Sequence, residues 1–396
     1  HYAIRTVSES ADIDVDLSTA YGLSSYANGT MDCISIHNQL GDVPGAPTNV
    51  GKIEYYSAET HTIYQPELWT YSASGYPSWP AGVSVDGTID LSEDIIIYNT
   101  NLKHKYNMNP LTVTWAPHLF TEIGWKNLQS WINSGFDNFL HTPNGRVHRK
   151  LTKLAFENIY HPFQSFIIGQ KLIGPRFSVF YKVPLVFYGE NQAEYGNKIE
   201  DNYKPTMDLS FFSTENFLDS TISGIPVHKI INDYDIPLND LTMYRPLDQE
   251  KIDSVGSEVH YLSYYTKWDP QEMYYYAAEN TGFRPNPVRT QGTYSRYAGI
   301  DDVIEWLHFY MIFIKFGIGR ATYDAAQEIR NQKITREEGI SLVHKYDHEF
   351  PDQFLNDFLD YFEMNSEEFF NTIDKFRNPE IWKKDGDNWE LKTQVS

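Results

Sequence analysis

The stretch from Asp301 to Pro351, DDVIEWLHFYMIFIKFGIGRATYDAAQEIRNQKITREEGISLVHKYDHEFP, decides how the C-terminal part of the chain folds. Its first part, Val303 to Phe316, is apolar on nearly every side at helical pitch. Such a pattern is typical of a helix buried inside a large domain. Gly317 and Gly319 predict the end of this helix, because glycine readily adopts the left-handed conformation that closes helices.

Two shorter helices are predicted after these glycines. Thr322 to Arg330 indicates a short polar helix, with Asn331 as a turn. Thr335 to Glu338 forms a capping box, in which the threonine and glutamate side chains satisfy free backbone amides and begin a helix that ends near Tyr346. Residues 354–377 add polar and aromatic helices. Residues 241–396 are therefore predicted to form a mainly helical C-terminal domain.

In the middle of the chain, predicted strands alternate with predicted helices. The segments are Leu111–Trp115 (strand), Thr121–Asn133 (helix), Phe139–His141 (strand), Val147–Tyr160 (helix) and Val183–Tyr188 (strand). Strands separated by helices predict a parallel sheet, so residues 101–240 are interpreted as an α/β core. Ligands of such sheets bind beyond the carboxyl ends of the strands.

The first hundred residues show strand and turn patterns, and no helix of ordinary length. Asp12–Leu17 and Met31–Ile36 indicate strands. The following segment is rich in tyrosine and tryptophan, which form either the core of a small β-unit or a platform for sugar rings. Residues 1–100 are therefore predicted to be a β-rich N-terminal segment.

Charge is unevenly distributed along the chain and limits the classes of ligand that the protein is expected to bind. The whole chain has a net charge of −21, which disfavours a nucleic-acid-binding protein. Residues 1–100 contain two Lys or Arg residues and thirteen Asp or Glu residues. Residues 101–182 contain ten Lys or Arg residues and three Asp or Glu residues. The basic middle section favours a phosphate-bearing ligand, unless its charges are only solvated helix faces.

The numbers and spacing of cysteine and histidine residues limit which disulfides and metal sites are expected. Cys33 is the single cysteine, which excludes internal disulfides and multi-cysteine zinc sites. The histidines show no metal-ligand spacing, so neither zinc nor another metal held by histidines is expected. No membrane-spanning run is present, and we expect a cytoplasmic protein.

Several motifs together resemble the N-acetyl sugar amidotransferases, a family of PP-loop ATP pyrophosphatases. The similarity runs from about Leu102 to Phe376 and is densest in the C-terminal stretch. The motifs are Gly317–Thr322 with Glu328–Arg330 and Thr335–Glu338, Thr121–Gly124, Pro143–Asn144 with Arg149–Leu151, Gly189–Asn191 with Glu194–Gly196, and Tyr264–Glu272.

The resemblance implies a fold, a reaction and partners. It implies a parallel-sheet core like that of the adenine-nucleotide hydrolases. The family converts an acetamido group on a sugar or nucleotide-sugar into an acetamidino group, for surface polysaccharide biosynthesis. It uses ATP and Mg²⁺, and ammonia from a glutaminase subunit that works with a tunnel-forming companion.

The candidate site residues combine this resemblance with strand-end position and charge. Catalytic candidates are Glu190, Asn191 and Arg320; cofactor-binding candidates are Asp42, Gly189, Arg149 and Lys150; substrate-binding candidates are Lys267, Trp268 and Glu122. Simpler alternatives stay open: Gly189–Asn191 as a strand-ending turn, Arg320 as a helix-end residue paired with a carboxylate, and Asp269–Pro270 as a helix start.

Two N-terminal motifs of the family are absent. Ala3–Val7 lacks the paired cysteines, and Asn38–Val43 stands where the family has the loop S-G-G-K-D-S, of which only Asp42 is kept. Gln39 and Leu40 add bulk where backbone amides must approach phosphate, and the lysine is missing. Two alternatives therefore stay open: an inactive homologue that binds a nucleotide-sugar or glycan, and an RNA-modifying PP-loop enzyme, which the negative charge disfavours.

Overall fold

The computed structural model describes residues 2–6, 53–57, 62–64, 83–86, 110–190, 203–208, 216–386 and 388–395, the segments before residue 110 as backbone only. The strands are β1 Tyr2–Thr6, β2 Ile53–Ser57, β3 Thr62–Tyr64, β4 Val83–Asp86, β5 Leu111–Trp115, β6 Asp137–His141, β7 Leu185–Tyr188, β8 Thr221–Ile222, β9 Ile225–Pro226, β10 Glu258–Tyr261, β11 Trp382–Asp385 and β12 Asn388–Leu391.

The α-helices are α1 Glu122–Ile132, α2 Gly145–Ile159, α3 Gln164–Tyr181, α4 Val227–Tyr234, α5 Gln249–Val255, α6 Pro270–Thr281, α7 Val303–Phe316, α8 Arg320–Arg330, α9 Arg336–Tyr346, α10 Leu355–Phe362 and α11 Ser366–Asp374. Short 3₁₀ turns cover Phe217–Asp219, Leu238–Tyr244, Leu262–Tyr264 and Asp352–Phe354. The fold is therefore mixed α/β. In the described part of the chain, no helix is long and apolar enough to cross a membrane.

A five-stranded sheet lies at the centre of the α/β part, with strand order β10-β7-β4-β5-β6. Every neighbouring pair in it is parallel. Its middle strand, β4, precedes the predicted 101–240 core, and its edge strand, β10, follows it. The sheet thus extends beyond the predicted core segment, and the division into three domains stays a prediction.

Local sequence patterns located many of the elements correctly. β5 and α7 have the predicted bounds, and α9 begins with the predicted capping box of Thr335 and Glu338. α6 begins at Pro270 with Asp269 as its N-cap, as the sequence suggested. α8 starts two residues earlier than predicted, at Arg320. The predicted strands Asp12–Leu17 and Met31–Ile36 lie outside the described residues.

The 18-residue helix α3 was not foreseen, because two glycines and Pro175 interrupt its pattern. Two of these irregularities, Gly169 and Pro175, have a structural role. A Cβ atom on Gly169 would lie 2.3 Å from the Trp115 ring, so glycine lets α3 approach β5. Pro175 has no amide hydrogen for the Lys171 carbonyl, four residues earlier. The Tyr188 hydroxyl contacts this carbonyl at 3.0 Å and that of Gln170 at 2.9 Å.

Tyr188→Phe should therefore lower the free energy of unfolding by about 1–3 kcal/mol, since a buried carbonyl loses its donor. In a Pro175→Ala background, the alanine amide can donate to the Lys171 carbonyl. Tyr188→Phe should therefore lower the free energy of unfolding by less in that background. Urea denaturation of the four proteins of this cycle measures the difference. Equal costs in both backgrounds would show that the hydroxyl does not compensate for the proline.

The main hydrophobic core joins the sheet to the C-terminal helices. All five residues of β5 are buried, as expected for a strand covered on both faces. Val113 and Trp115 of β5 belong to the same cluster of buried side chains as Ile304, Leu307 and Ile314 of α7. The apolar helix predicted from the opening stretch thus packs into the core that contains the sheet.

Candidate functional site

The strand order identifies where a ligand would bind. From β4 the chain proceeds to β5 and β6 on one side, and then returns to β7 and β10 on the other. In open α/β sheets, ligands bind outside the carboxyl ends of the strands at the point where this direction changes. That point lies between β4 and β7. Gly189 and Glu190 follow the last residue of β7 directly and are buried there.

Glu190 is held by three neighbours. Its side-chain oxygens accept hydrogen bonds from Gln170 Nε2 at 2.7 Å and from Lys171 Nζ at 2.9 Å. Its backbone carbonyl accepts one from Ser263 Oγ at 2.5 Å. Both side chains of the Lys171–Glu190 pair are less than a tenth exposed. Glu190 thus links β7 to α3 and to the turn after β10.

Lys171 supplies a buried positive charge at this end of the sheet. Its ammonium nitrogen lies 4.5 Å from the centre of the Tyr188 ring and 5.1 Å from that of Tyr261. Burial alone would lower the pKa of Lys171, but the Glu190 charge and Tyr261 outweigh it and raise the pKa above its ordinary value. Lys171 therefore stays protonated and contributes a cation near the position where an anionic ligand would bind.

Sequence reasoning missed Lys171 as a site residue. The available signal was its setting, because Gln170 and Lys171 interrupt an apolar run from Phe166 to Pro175. A lysine in such a run must either be paired or lie at a site, since an unpaired buried charge is very costly. Its partner could not be identified, because nothing in the spacing points to Glu190.

Arg149 and Lys150 of α2 bind elsewhere in the fold. Arg149 donates through Nε to the carbonyl of Tyr361 at 2.6 Å and pairs with Glu363 at 3.3 Å. Lys150 donates to the carbonyl of Tyr234. Both side chains thus bind at the C-terminal ends of helices α10 and α4, where carbonyls lack helical partners. The described contacts of these two residues do not include Glu190, and their cofactor role stays a prediction.

Arg320 begins α8 and is held by its own helix. Its Nε donates to Asp324 at 2.7 Å, and its guanidinium lies 4.9 Å from the Phe309 ring centre and 5.0 Å from that of Tyr323. This arrangement agrees with the simpler alternative of a helix-end arginine paired with a carboxylate. Its catalytic role stays a prediction.

A carboxylate of the chain itself lies at the helix start in the motif Gly317–Thr322. Asp347 accepts from the Gly319 amide at 2.7 Å, from the Thr322 amide at 2.9 Å and from the Thr322 hydroxyl at 2.6 Å. A Cβ on Gly319 would lie 2.7 Å from an oxygen of Asp347, so glycine is required there. Amides at a helix start favour anions, and here Asp347 takes that position.

The described contacts of the predicted substrate-binding residues do not include Glu190. Lys267 pairs with Asp269 at 2.9 Å and is largely exposed, while the carbonyl of Trp268 accepts from Asn331 at 3.2 Å. Glu122 is exposed and pairs with Lys126 at 2.5 Å. These contacts fix helix ends and surface pairs, and the binding roles stay predictions.

Two candidates cannot be placed. Asn191 and Asp42 lie outside the described residues. Within the described residues, no group of three or more His, Cys, Asp or Glu side chains could hold a metal ion. A site for the Mg²⁺ that accompanies ATP therefore stays a prediction, since the chain next to both of these residues is not described.

The carboxyl end of β5 is joined to α7 by a buried histidine–aspartate pair that sequence reasoning also missed. Asp302 accepts from the His118 amide at 2.8 Å, from His118 Nδ1 at 2.6 Å and from the Ile304 amide at 2.9 Å. Because carboxylate oxygens accept and these partners must donate, Nδ1 of His118 carries a proton. The His118 side chain is fully buried.

Buried histidines should make the fold sensitive to acid. Burial, and then the charge of Lys315, lowers the pKa of His161 to about 4, against 6.5 in an unfolded chain. Between these values the unfolded state binds more protons, so the stability contributed by His161, about 3 kcal/mol, is present above pH 6.5 and is lost as the pH falls toward 4.

His161→Phe tests this, because phenylalanine keeps a ring against His308, whose ring centre lies 5.1 Å away. Urea denaturation between pH 7 and pH 4.5 should give a smaller loss of stability for this variant than for the parent. If both lose the same amount, other groups cause the acid sensitivity.

Comparison with known proteins identifies the C-terminal part only. Residues 291–396 match the family model described as LPS biosynthesis protein WbpG-like, C-terminal domain. The matched region includes α7 to β12 and thus the motifs Gly317–Thr322 and Thr335–Glu338. It supports a place in a sugar-biosynthesis family. No curated protein matches the chain.

Proposed function

We propose that this chain acts in the biosynthesis of lipopolysaccharide or a related surface glycan, on a sugar or nucleotide-sugar that carries an acetamido group. The match of residues 291–396 to the C-terminal domain of an LPS biosynthesis protein carries this proposal. The motifs in Gly317–Thr322 and Thr335–Glu338 support the finer resemblance to the N-acetyl sugar amidotransferases.

The reaction that this resemblance implies replaces the oxygen of the acetamido group by nitrogen. An amide oxygen is a poor leaving group, so AMP is first transferred from ATP to this oxygen and pyrophosphate leaves. Ammonia then attacks the amide carbon, AMP leaves with the oxygen, and an acetamidino group remains. Cationic groups, together with Mg²⁺ bound with ATP, would offset the negative charge that develops on the phosphates.

The fold is compatible with an adenine-nucleotide-binding core. Its parallel sheet changes direction between β4 and β7, and the buried cation Lys171 lies beside Glu190 at the end of β7. We propose this crevice as the nucleotide and sugar site. Ammonia would come from a glutaminase subunit and its tunnel-forming companion, as the resemblance implies.

A second candidate is a nucleotide-sugar-binding protein that does not turn over ATP. The observation that favours it is the absence of a phosphate-binding loop. Asn38–Val43 has no lysine, and neither have the residues that follow the central strand β4, from Gly87 to Leu102. Without a lysine and a glycine-rich loop, the phosphates lose much of the stabilisation that this reaction needs.

Two measurements decide between these candidates. Isothermal titration with a UDP-N-acetyl sugar and with ATP–Mg²⁺ reports binding. Pyrophosphate release, in the presence of both and an ammonium salt, reports turnover without a glutaminase. We expect sugar-nucleotide binding with little or no pyrophosphate release. Turnover of about 1 per second or more would instead support the amidotransferase, and absence of any binding would contradict both.

A pair of matched variants tests the location of the site. Glu190→Gln changes one buried charge at the end of β7, and Glu390→Gln makes the same change on an exposed side chain that pairs with Lys383 on the C-terminal hairpin. Only the first should weaken sugar-nucleotide binding. Equal affinities for the two variants would place the ligand away from Glu190.

A further inference from the structure

A group of aromatic and histidine side chains, here called the histidine cluster, fills the space at the carboxyl ends of β5 and β6. It consists of Trp115, His118, His141, His148 and Tyr244. The ring centres of Trp115 and His141 lie 4.8 Å apart, and those of His118 and His148 also 4.8 Å. The ring centre of His148 lies 6.1 Å from that of Trp115 and 6.1 Å from that of Tyr244. The members therefore form one continuous set of contacting rings.

Four nitrogen atoms of the histidine cluster are buried without a hydrogen-bond partner in the described structure. They are Trp115 Nε1, His118 Nε2, His141 Nε2 and His148 Nε2. Buried polar atoms without partners are rare, and each needs an explanation such as water, an ion or a catalytic role. Four of them in neighbouring rings would remove a large part of the small net stability of a protein. A bound molecule that satisfies them is the simplest explanation.

The chemistry of the four nitrogens defines that molecule. The indole N–H of Trp115 can only donate. In the neutral ring, a His118 that donates through Nδ1 to Asp302 leaves Nε2 as an acceptor. His141 and His148 can do either. An anion would face the His118 lone pair and a cation would face the indole proton, and no three-ligand metal group exists in the described part of the chain. A small neutral molecule that both donates and accepts fits, and water is that molecule.

We propose that the histidine cluster is a buried hydration site, in which ordered water joins the free nitrogens of Trp115, His118, His141 and His148. The site adjoins the crevice. Phe166 of α3 packs on His118, with ring centres 5.2 Å apart. Gln170, one helical turn farther along α3, binds Glu190 through Nε2, and its own Oε1 has no partner.

The first test is a high-resolution crystal structure of the full chain. We expect electron density for at least one water within about 2.7–3.2 Å of His118 Nε2 or His148 Nε2. The site does not depend on sugar or nucleotide, so the unliganded protein is sufficient, and the result is independent of the proposed function. A cluster without solvent density overturns the proposal.

A pair of variants gives a second test in solution. Tyr244→Phe removes only the 2.8 Å contact between the tyrosine hydroxyl and His148 Nδ1, whereas His148→Phe removes this contact and the ring nitrogen that holds water. In a hydrated cluster, His148→Phe should lower the folding equilibrium constant at least tenfold more than Tyr244→Phe. In a dry cluster, phenylalanine removes an unsatisfied nitrogen, and His148→Phe would fold at least as well as Tyr244→Phe, which overturns the proposal.

Discussion

A Lys171→Met variant is expected to lose about 3–5 kcal/mol of unfolding free energy, because it leaves the carboxylate of Glu190 buried beside the end of β7 without its positive partner. The Nζ–Oε2 distance of 2.9 Å and the small exposure of both side chains make this a buried pair. Removal of one member of such a pair costs far more than the pair contributes, since the remaining charge is not solvated. Chemical denaturation at pH 7 measures the loss.

Two further variants make this prediction specific. Lys126→Met breaks an exposed lysine–glutamate pair with a distance of 2.5 Å and should change stability by less than about 0.5 kcal/mol. Lys171→Met combined with Glu190→Gln removes both charges and should recover at least about 2 kcal/mol relative to the sum of the single changes. If the double variant shows simple additivity, the two side chains do not interact as the structure describes.

Asp302→Ala is expected to cost a similar amount, about 3–5 kcal/mol, because one carboxylate binds several buried donors from two distant parts of the chain. It caps α7 through the Ile304 amide and holds the backbone and ring of His118. Loss of the carboxylate leaves these donors unsatisfied at the junction between the sheet and the C-terminal helices. Thermal and urea denaturation should both report the loss.

An ordinary helix cap provides the comparison. Asn365 is the N-cap of α11, in an exposed capping box with Glu368, and Asn365→Ala should cost only about 1 kcal/mol. The loss of unfolding free energy for Asp302→Ala, minus that for Asn365→Ala, measures the contribution of the His118 contacts. Equal costs for the two variants would mean that Asp302 acts only as a helix cap and that His118 does not depend on it.

The ion pair between Lys171 and Glu190 changes how the candidate site is understood. Glu190 was predicted from its position after a strand, and it does lie there, but its carboxylate already binds Gln170 and Lys171. A ligand would therefore bind next to an existing ion pair and not to a free carboxylate. In the same way, the turn before Arg320 binds Asp347. Contacts within the chain thus account for the positions of Glu190 and of the turn before Arg320, and their catalytic roles remain to be tested.

The sequence by itself determined the elements that depend on local pattern. Periodicity located β5 and α7, and side chains next to each helix start gave the capping box at Thr335 and the N-cap Asp269. These features could be predicted because each involves residues within a few positions of one another. The Gly189–Glu190 turn was found in the same way, as the end of an apolar strand.

Only the tertiary structure decided which distant residues meet. It made β4 the middle strand of the sheet, brought Asp302 to His118, 184 positions away, and put Asp347 at the start of α8. It also required a tyrosine from β7 to satisfy the carbonyl that Pro175 leaves free. The physical reason is that apolar periodicity records which face of an element is buried, whereas a buried polar group takes whichever complementary partner the packed chain brings within hydrogen-bond distance.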